Sequence, residues 1–555
     1  MADLKWWQQA VFYQIYPRSF ADGNGDGIGD FPGITSRLDY LRDLGIDALW
    51  LSPHYPSPFL DCGYDISDYS DVGPEYGTLD DFRTFLDEAH QRGIRVILDL
   101  VMNHSSHQHP WFIESRSSRD NPKRDWYIWR DGRDDGPPNN WASIFGGSAW
   151  EYDAATDQYY YHAFLKEQPD LNWRNPEVKQ AMWDAVRFWL DMGVDGFRLD
   201  AIATIYEHPD MPDHTLPIPT ERIADGHGFG EKEWEELMRH QVQQPGVHEL
   251  MKELRALIDE YPGDRVLVGE DDDVLYHGEG DDELHLVFNF PLMKVERLTP
   301  KHIYANQERR LAELPAGAWP CNTLGNHDVS RVWSHYADGS HDAERARLHL
   351  ALMLTLKGTP FLYNGEEIGM VDLTLSHLDQ IRDMAAISRY EVLTEKLKWS
   401  HREALAAVMT TTRDRCRTPL QWSAEANAGF SPEGVTTWLP VHPNHEHGVS
   451  VAAQQDDPDS MLNFYRRMLR VRKATPALVE GEYEALSPHD ECVAFLRSTD
   501  TQTVLVVLNF SDTVQTVLVG RPVSSVVFSS TGRDEGASGE RVTLEPFGIL
   551  IAEVG

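Results

Sequence analysis

The feature that most constrains this chain is a succession of short apolar runs, most closing on polar residues and several followed by an amphipathic helical pattern. The runs are AVFYQIY (10–16), DALWLSP (47–53), RVILDLVMNH (95–104), GFRLDA (196–201), VLVGE (266–270), LHLVFNF (284–290), PCNTLGNHD (320–328) and TPFLYNGEE (359–367). Bounded apolar runs of this length read as strands buried on both faces. Between them lie helices such as LDDFRTFLDEAHQRG (79–93) and PEVKQAMWDAVRFWLDMG (176–193), the second opened by Pro176 and closed by Gly193. Strands alternating with crossover helices make parallel βαβ units. Eight of them predict an α/β fold, a (β/α)8 TIM barrel rather than an open doubly wound sheet, with polar strand ends at the mouth where such barrels build their sites.

Two segments interrupt this rhythm. About 70 residues rich in Trp, Tyr, Gly and Pro separate the third run from the helix at 176, too many for a plain loop. They predict a small subdomain at 105–172, inserted in a catalytic barrel formed by 1–104 and 173–478. A second excursion, roughly 203–245 and containing EHPDMPDHTLPIPTER, reads as a pocket wall. After the helix SMLNFYRRMLRVRKATPAL (460–478), the runs CVAFLRS, TVLVVLNF and RVTLEPFGILIAEV predict a C-terminal antiparallel β-sandwich domain over 479–555.

With 555 residues, 41% of them apolar, the chain can bury a large core. Its formal charge of −39 repels phosphate backbones and anionic lipid, which argues against nucleic acid or membrane partners and favours a neutral or cationic ligand. The opening MADLKWWQQAVFYQIYPRSF has no basic segment followed by an apolar core, and no stretch is apolar enough to span a bilayer. Cys62, Cys321, Cys416 and Cys492 have neither paired nor zinc-site spacing. They read as reduced thiols of a cytoplasmic protein.

The chemistry lies at the strand ends. The fourth run ends in DGFRLDAI, putting Arg198 and Asp200 on one face, where the cation would hold the carboxylate ionised. The fifth ends at Glu270, partly desolvated by VLVG, and the seventh brings His327 and Asp328 to the same mouth. Two carboxyl groups about 5 Å apart, one anionic and one protonated, are what a retaining glycosidase requires. A third can bind ring hydroxyls or steady positive charge on the sugar. Near the start, DGNGDGIGD (22–30) sets Asp22, Asn24, Asp26 and Asp30 on a glycine-rich loop, a pattern suited to a hard cation. An EF-hand would need Glu at the twelfth position, which is Gly33, so the sensor reading fails. A metal-free Gly/Asp turn is the alternative.

With these motifs on the page, the chain resembles the α-amylase family of glycoside hydrolases, family 13, through the barrel and the C-terminal sandwich. DLVMNH (99–104), GFRLDAI (196–202), GE (269–270) and NHD (326–328) look like its four motif regions in the right order, and QPDLNW (168–173) resembles a further motif of its oligo-1,6-glucosidase branch. The resemblance implies that Asp200 is the nucleophile, Glu270 the general acid/base and Asp328 the transition-state stabiliser. Arg198 would orient Asp200, and His104 and His327 would hydrogen-bond sugar hydroxyls. It also implies a structural calcium ion, with magnesium as the alternative, held by Asp22, Asn24, Asp26 and Asp30 and by the carbonyl of Ile28.

DCGYDISDY (61–69) and TRDRCRTPLQW (412–422) are similar to the branch's segments that close the glucose pocket. Asp61 and Arg413 would then cap the non-reducing end, Tyr64 would stack beneath the ring, and Phe145 and Phe164 would be apolar walls. Such a cap blocks a longer chain from passing through and implies exo action. The residue after the nucleophile faces the leaving group; relatives with Val there tend towards α-1,6 linkages and those with Ala or Thr towards α-1,4, so Ala201 points to α-1,4. The function expected is an exo-acting retaining α-glucosidase for short α-glucosides, with some transglucosylation. One alternative is a trehalose synthase or sucrose isomerase type of enzyme, which shares the triad, although the Arg/Asp-rich loop of sucrose isomerases is missing ahead of the seventh strand. The other is a non-catalytic amylase-like binding protein such as a transporter heavy chain, which would want a membrane anchor and eroded acids.

Overall fold

The computed structural model describes residues 4–216, 229–280, 282–530 and 540–555. At its centre are eight parallel strands: β1 (Phe12–Ile15), β2 (Ala48–Leu51), β3 (Arg95–Val101), β4 (Gly196–Asp200), β5 (Val266–Gly269), β6 (Leu286–Val287), β7 (Cys321–Thr323) and β8 (Thr359–Tyr363). Phe12 lies beside Ala48, Ala48 beside Arg95, Ile97 beside Gly196 and Gly196 beside Val266. β8 pairs with both β7 and β1, and a parallel bridge from Phe288 to Cys321 brings the end of β6 against β7. The sheet thus nearly closes into the expected barrel.

The apolar runs overreach the hydrogen-bonded ladder. The sixth is a strand only at Leu286–Val287 and turns helical at Phe290; the seventh stops at Thr323. His327 and Asp328 therefore stand on a loop beyond β7, not at a strand end. The eighth stops at Tyr363, and Glu366–Ile368 forms a short 3-10 turn. Asn289, Gly325 and the Asn364–Gly365 pair sit where pairing ceases, residue types that favour turns over strands.

The crossover helices have the ends their sequence dictates. Thr78 caps Leu79–Gln91, accepting from the Asp81 amide, and the helix buries Phe82, Phe85, Leu86 and Ala89. Asn175 caps Pro176–Met192, and Gly193 ends it at φ 105°, a left-handed conformation that glycine adopts without penalty. Gly196 opens β4 where a Cβ would stand 2.1 Å from the Val266 carbonyl oxygen, so only glycine lets the two strands meet. The predicted helix at 460–478 is two helices, Met461–Ala474 and Pro476–Glu480, because Pro476 has no N–H to continue the first.

The first insertion carries a three-stranded antiparallel sheet from Trp129–Arg130, Trp150–Asp153 and Gln158–Tyr161. In the second excursion, Ile202–Thr204 is a 3-10 turn and Glu231–Met238 a helix; residues 217–228 of the anticipated wall lie outside the described residues. A third helical excursion, unanticipated, follows β8 and contains Met384–Glu391 and His401–Met409 around a small core of Leu393, Ala404 and Val408. At the C-terminus a five-stranded antiparallel sheet faces a two-stranded one, and RVTLEPFGILIAEV splits between them at a turn. Cys492, Ala494 and Leu496 face the two-stranded sheet with Val517, Val542 and Leu544, while Val493 and Phe495 join the barrel's core. Both faces of that strand are buried, which is why its apolar run does not alternate. Among the described residues no helix is long and apolar enough to cross a membrane.

Candidate active site

The site is organised by Arg198, buried at the mouth of the barrel. On β4, Arg198 lies in register with Asp99 of β3, and Asp200 two residues on shares its face. Its Nη1 donates to Asp99 Oδ1 at 2.6 Å and Asp200 Oδ1 at 2.7 Å, while Nη2 meets Glu270 Oε1 at 2.8 Å. Glu270 follows β5, and its Oε2 accepts from the backbone N–H of Ala201 at 2.9 Å. That amide is aimed by an unusual backbone: Ala201 lies in the left-handed region, φ 45° and ψ 43°, which costs a residue with a Cβ about 1–2 kcal/mol.

One guanidinium among three carboxyl groups leaves excess negative charge. Burial and the charge of Glu270 raise the Asp200 carboxyl well above its ordinary range despite Arg198. The expectation that Arg198 would hold Asp200 ionised is therefore corrected: desolvation and the neighbouring acids outweigh the cation. Burial also lifts Asp99, a partner of the Trp50 indole and the Tyr64 hydroxyl, to about 6. Asp328 behaves oppositely. Burial would raise it, yet His327, Arg417 and Arg413 hold it well below the usual carboxylate range, with Arg417 Nη2 donating to its Oδ1 at 2.6 Å.

The remaining predicted residues gather around this centre. Tyr64 lies parallel to the His327 ring, its hydroxyl 2.6 Å from Nε2, while His327 Nδ1 meets Gln14 at 2.7 Å. His327 is fully buried and its pKa falls well below the ordinary value through desolvation. Asp61 Oδ1 accepts from Arg413 Nη2 at 2.8 Å and Asp61 Oδ2 from Gln168 Nε2 at 3.0 Å; Gln168 also contacts His104 Nε2 at 2.9 Å. Burial lowers His104 to about 4 and keeps it neutral. Phe164 packs on His104 at 5.2 Å, Phe145 on Phe164 at 5.5 Å, and the Arg413 guanidinium lies 5.6 Å over Phe145. All three carboxyls, both histidines, the Asp61–Arg413 pair, Tyr64 and both phenylalanines thus belong to one site.

Sequence reasoning left four partners unassigned. Asp99, Gln168 and Arg417 stood inside quoted motifs, and the register of β3 on β4 would have paired Asp99 with Arg198. Asp383, which binds Arg413 through Nη2 at 2.8 Å and Nε at 3.2 Å, lies in the helical excursion after β8, where no local signal marked it.

The carboxylates of the glycine-rich loop are engaged by backbone amides of the same segment. Asp22 accepts from the amides of Gly25 and Gly27 and from Ser431; Asp26 accepts from Ile28; and Asp30 accepts from Gly23, Asn24 and Gly33, capping the helix Phe31–Ser36. Among the described residues no three His, Cys, Asp or Glu side chains are grouped as a metal site. The donors are all oxygen, which fits a hard cation and not zinc.

Three acids at the C-terminal mouth of a barrel, with a buried Asp–Arg pair beside them, define a carbohydrate-cleaving site in kind. Comparison with known proteins agrees. The family model "Alpha amylase, catalytic domain" matches residues 14–481. An oligo-1,6-glucosidase of Parageobacillus thermoglucosidasius is 40% identical over 91% of both chains, and a probable alpha-glucosidase of Rhizobium meliloti is 42% identical over 93% of this chain and 91% of the relative. Among solved structures, the trehalulose synthase of Pseudomonas mesoacidophila MX-45 matches at TM-score 0.90 and 38% identity, and a mutant isomaltulose synthase of Erwinia rhapontici NX5, in complex with sucrose, at 0.90 and 36%, each covering 100% of both chains. The chain belongs to the alpha-amylase family and is a glycoside hydrolase.

Proposed function

We propose that this enzyme is an exo-acting retaining α-glucosidase that releases α-glucose from the non-reducing end of short α-glucosides, α-1,4-linked by preference. The observation that carries this reading is the placement of Asp200 and Glu270 on the two terminal nitrogens of one guanidinium, beside the buried Asp61–Arg413 pair. Carboxyls sharing one small cation suit the spacing of about 5 Å used by retaining enzymes. Asp200 attacks the anomeric carbon, and Glu270 protonates the departing oxygen. A covalent β-glucosyl ester forms on Asp200, and Glu270 then takes a proton from the water that attacks it. Asp328, kept anionic by Arg417 and Arg413, stabilises the oxocarbenium-like transition state. Asp61 and Arg413 close the far end, so substrate enters by its non-reducing terminus.

A second reading has support in the trehalulose synthase and isomaltulose synthase neighbours, of which two were solved with sucrose. In that reading the glucosyl ester passes to a sugar in place of water. Anomeric-proton NMR on maltose, isomaltose, sucrose, trehalose and α-1,4 oligosaccharides decides: α-glucose released first supports the hydrolase, and new disaccharides with little free glucose overturn it.

The calcium reading is kept as part of this proposal. Asp22, Asn24, Asp26, Asp30 and the Ile28 carbonyl would hold the ion, which would clamp the loop without joining bond cleavage. Four buried free cysteines suit a reducing compartment, the cytoplasm.

A further inference from the structure

Beneath the loop that carries His327 and Asp328 lies a cavity of about 20 Å³, walled by Leu324, Val332, His349, Met370, Tyr465 and Glu366. Leu324 and Val332 bracket that loop, so the cavity is its floor. Gly325 rests on Glu366 so closely that a Cβ there would stand 2.6 Å from Oε1. Glu366 Oε2 accepts from the Tyr465 hydroxyl at 3.3 Å, while Oε1 is buried without a hydrogen-bond partner. His349 Nδ1, on the same wall, is buried and without a partner too. Both residues line this space, which is large enough for one water, since about 10–15 Å³ of such volume admits one where polar neighbours hold it.

We propose that Glu366 is a positioning residue for the Asp328 loop, holding it through its carboxyl and one internal water shared with His349. The proposal rests on the reading of Asp328 as a substrate contact. Burial pushes Glu366 up to about 8 against the pull of Arg331, so at pH 7 its proton bridges to the water. Burial lowers His349 to about 3, leaving a neutral ring that can accept from the water. The groups facing Glu366 include Arg331, Glu367, Tyr336, Tyr465 and His349; Arg331 gives Nη1 to the Asn364 carbonyl and keeps Nε and Nη2 buried without a partner. Ionisation would set an anion against Gly325 and draw it toward those free donors of Arg331, shifting the floor of the loop.

The test compares pH profiles of kcat/KM for the whole enzyme and for Glu366→Gln, which cannot ionise, with Asp328→Asn as the control for the site itself. Wild-type activity is expected to fall above about pH 8, and in Glu366→Gln that limb moves upward by about one unit or more. A residue with a merely structural role would not move it. An unchanged alkaline limb in Glu366→Gln, with Asp328→Asn inactive, overturns the positioning role alone. An active Asp328→Asn overturns the site reading beneath it. Glu366→Leu, folded by circular dichroism, should lose about tenfold in kcat at pH 7; wild-type kcat in that variant also overturns the proposal.

Discussion

Asp61 and Arg413 stand 352 positions apart in the chain and meet at 2.8 Å in the floor of the site. Arg413 is tied from behind by Asp383, so its guanidinium is fixed before any substrate arrives. That asymmetry separates two substitutions. Asp61→Asn leaves Arg413 paired with Asp383 and should change Tm by little, while kcat/KM on maltose falls at least tenfold, about 1.4 kcal/mol. Arg413→Ala strands two buried carboxylates, Asp61 and Asp383, and should cost about 3–5 kcal/mol of stability as well as activity. Equal Tm losses for the two variants would contradict this division.

The acid cluster sets a second expectation. Burial lifts Asp99 to about 6 and raises Asp200 with it, and the nucleophile must be ionised to attack. If Asp200 is the nucleophile, as proposed, the acid limb of kcat/KM should therefore lie above the ordinary carboxylate range. Asp99→Asn removes an anion that raises Asp200, so the limb should move to lower pH. The sign for stability follows. A carboxyl raised on folding binds its proton more tightly in the native state, so this contribution is full below about pH 4 and is lost as pH climbs to about 6. Chemical denaturation at pH 4 and pH 7 should show a smaller decline for Asp99→Asn than for the wild type.

How much of this was legible in the sequence depends on how local the signal was. Eight apolar runs and their helices were plain, because burial on both faces writes a continuous pattern. Strand ends were not, since Asn289, Gly325 and Asn364 stop the ladder through turn preference while the chain beyond still looks apolar. Asp200, Glu270 and Asp328 could be placed at one mouth because they fall at or just beyond strand ends in recognisable motifs. The sharing of Arg198 by three acids was hidden, because the balance of one cation against burial is a property of packing and not of spacing. Asp383 was invisible for a simpler reason: it reaches the site from an excursion whose sequence carries no barrel rhythm.

Ala201 supports a third prediction. Its left-handed backbone aims an N–H at Glu270, and β-branched residues tolerate that conformation least. Ala201→Gly should raise Tm slightly or leave it unchanged, whereas Ala201→Val should lower it and disturb Glu270. The same valine alters the room for the leaving group, so the ratio of kcat/KM for isomaltose over maltose should change by about 1–3 kcal/mol or less. A valine variant with wild-type Tm and wild-type kcat would show that the strain does not reach the acid/base.

The loop at 22–30 gives the last prediction, and it turns on what those carboxylates do without an ion. Each already accepts backbone N–H groups, and Asp30 caps Phe31–Ser36, so the loop should stay folded when metal is removed. An ion that binds only the native loop adds stability by mass action, about 2.7 kcal/mol at a hundred times its Kd. On the proposed calcium reading, chelation should lower Tm by several degrees, calcium should restore it, and kcat at 25 °C should barely move because such an ion would take no part in cleavage. Asp26→Ala removes a ligand while leaving the Asp30 cap, so its Tm should equal that of the chelated wild type and ignore added calcium. If calcium shifts neither protein, the side chains of this loop serve only their own backbone, and the cation reading falls.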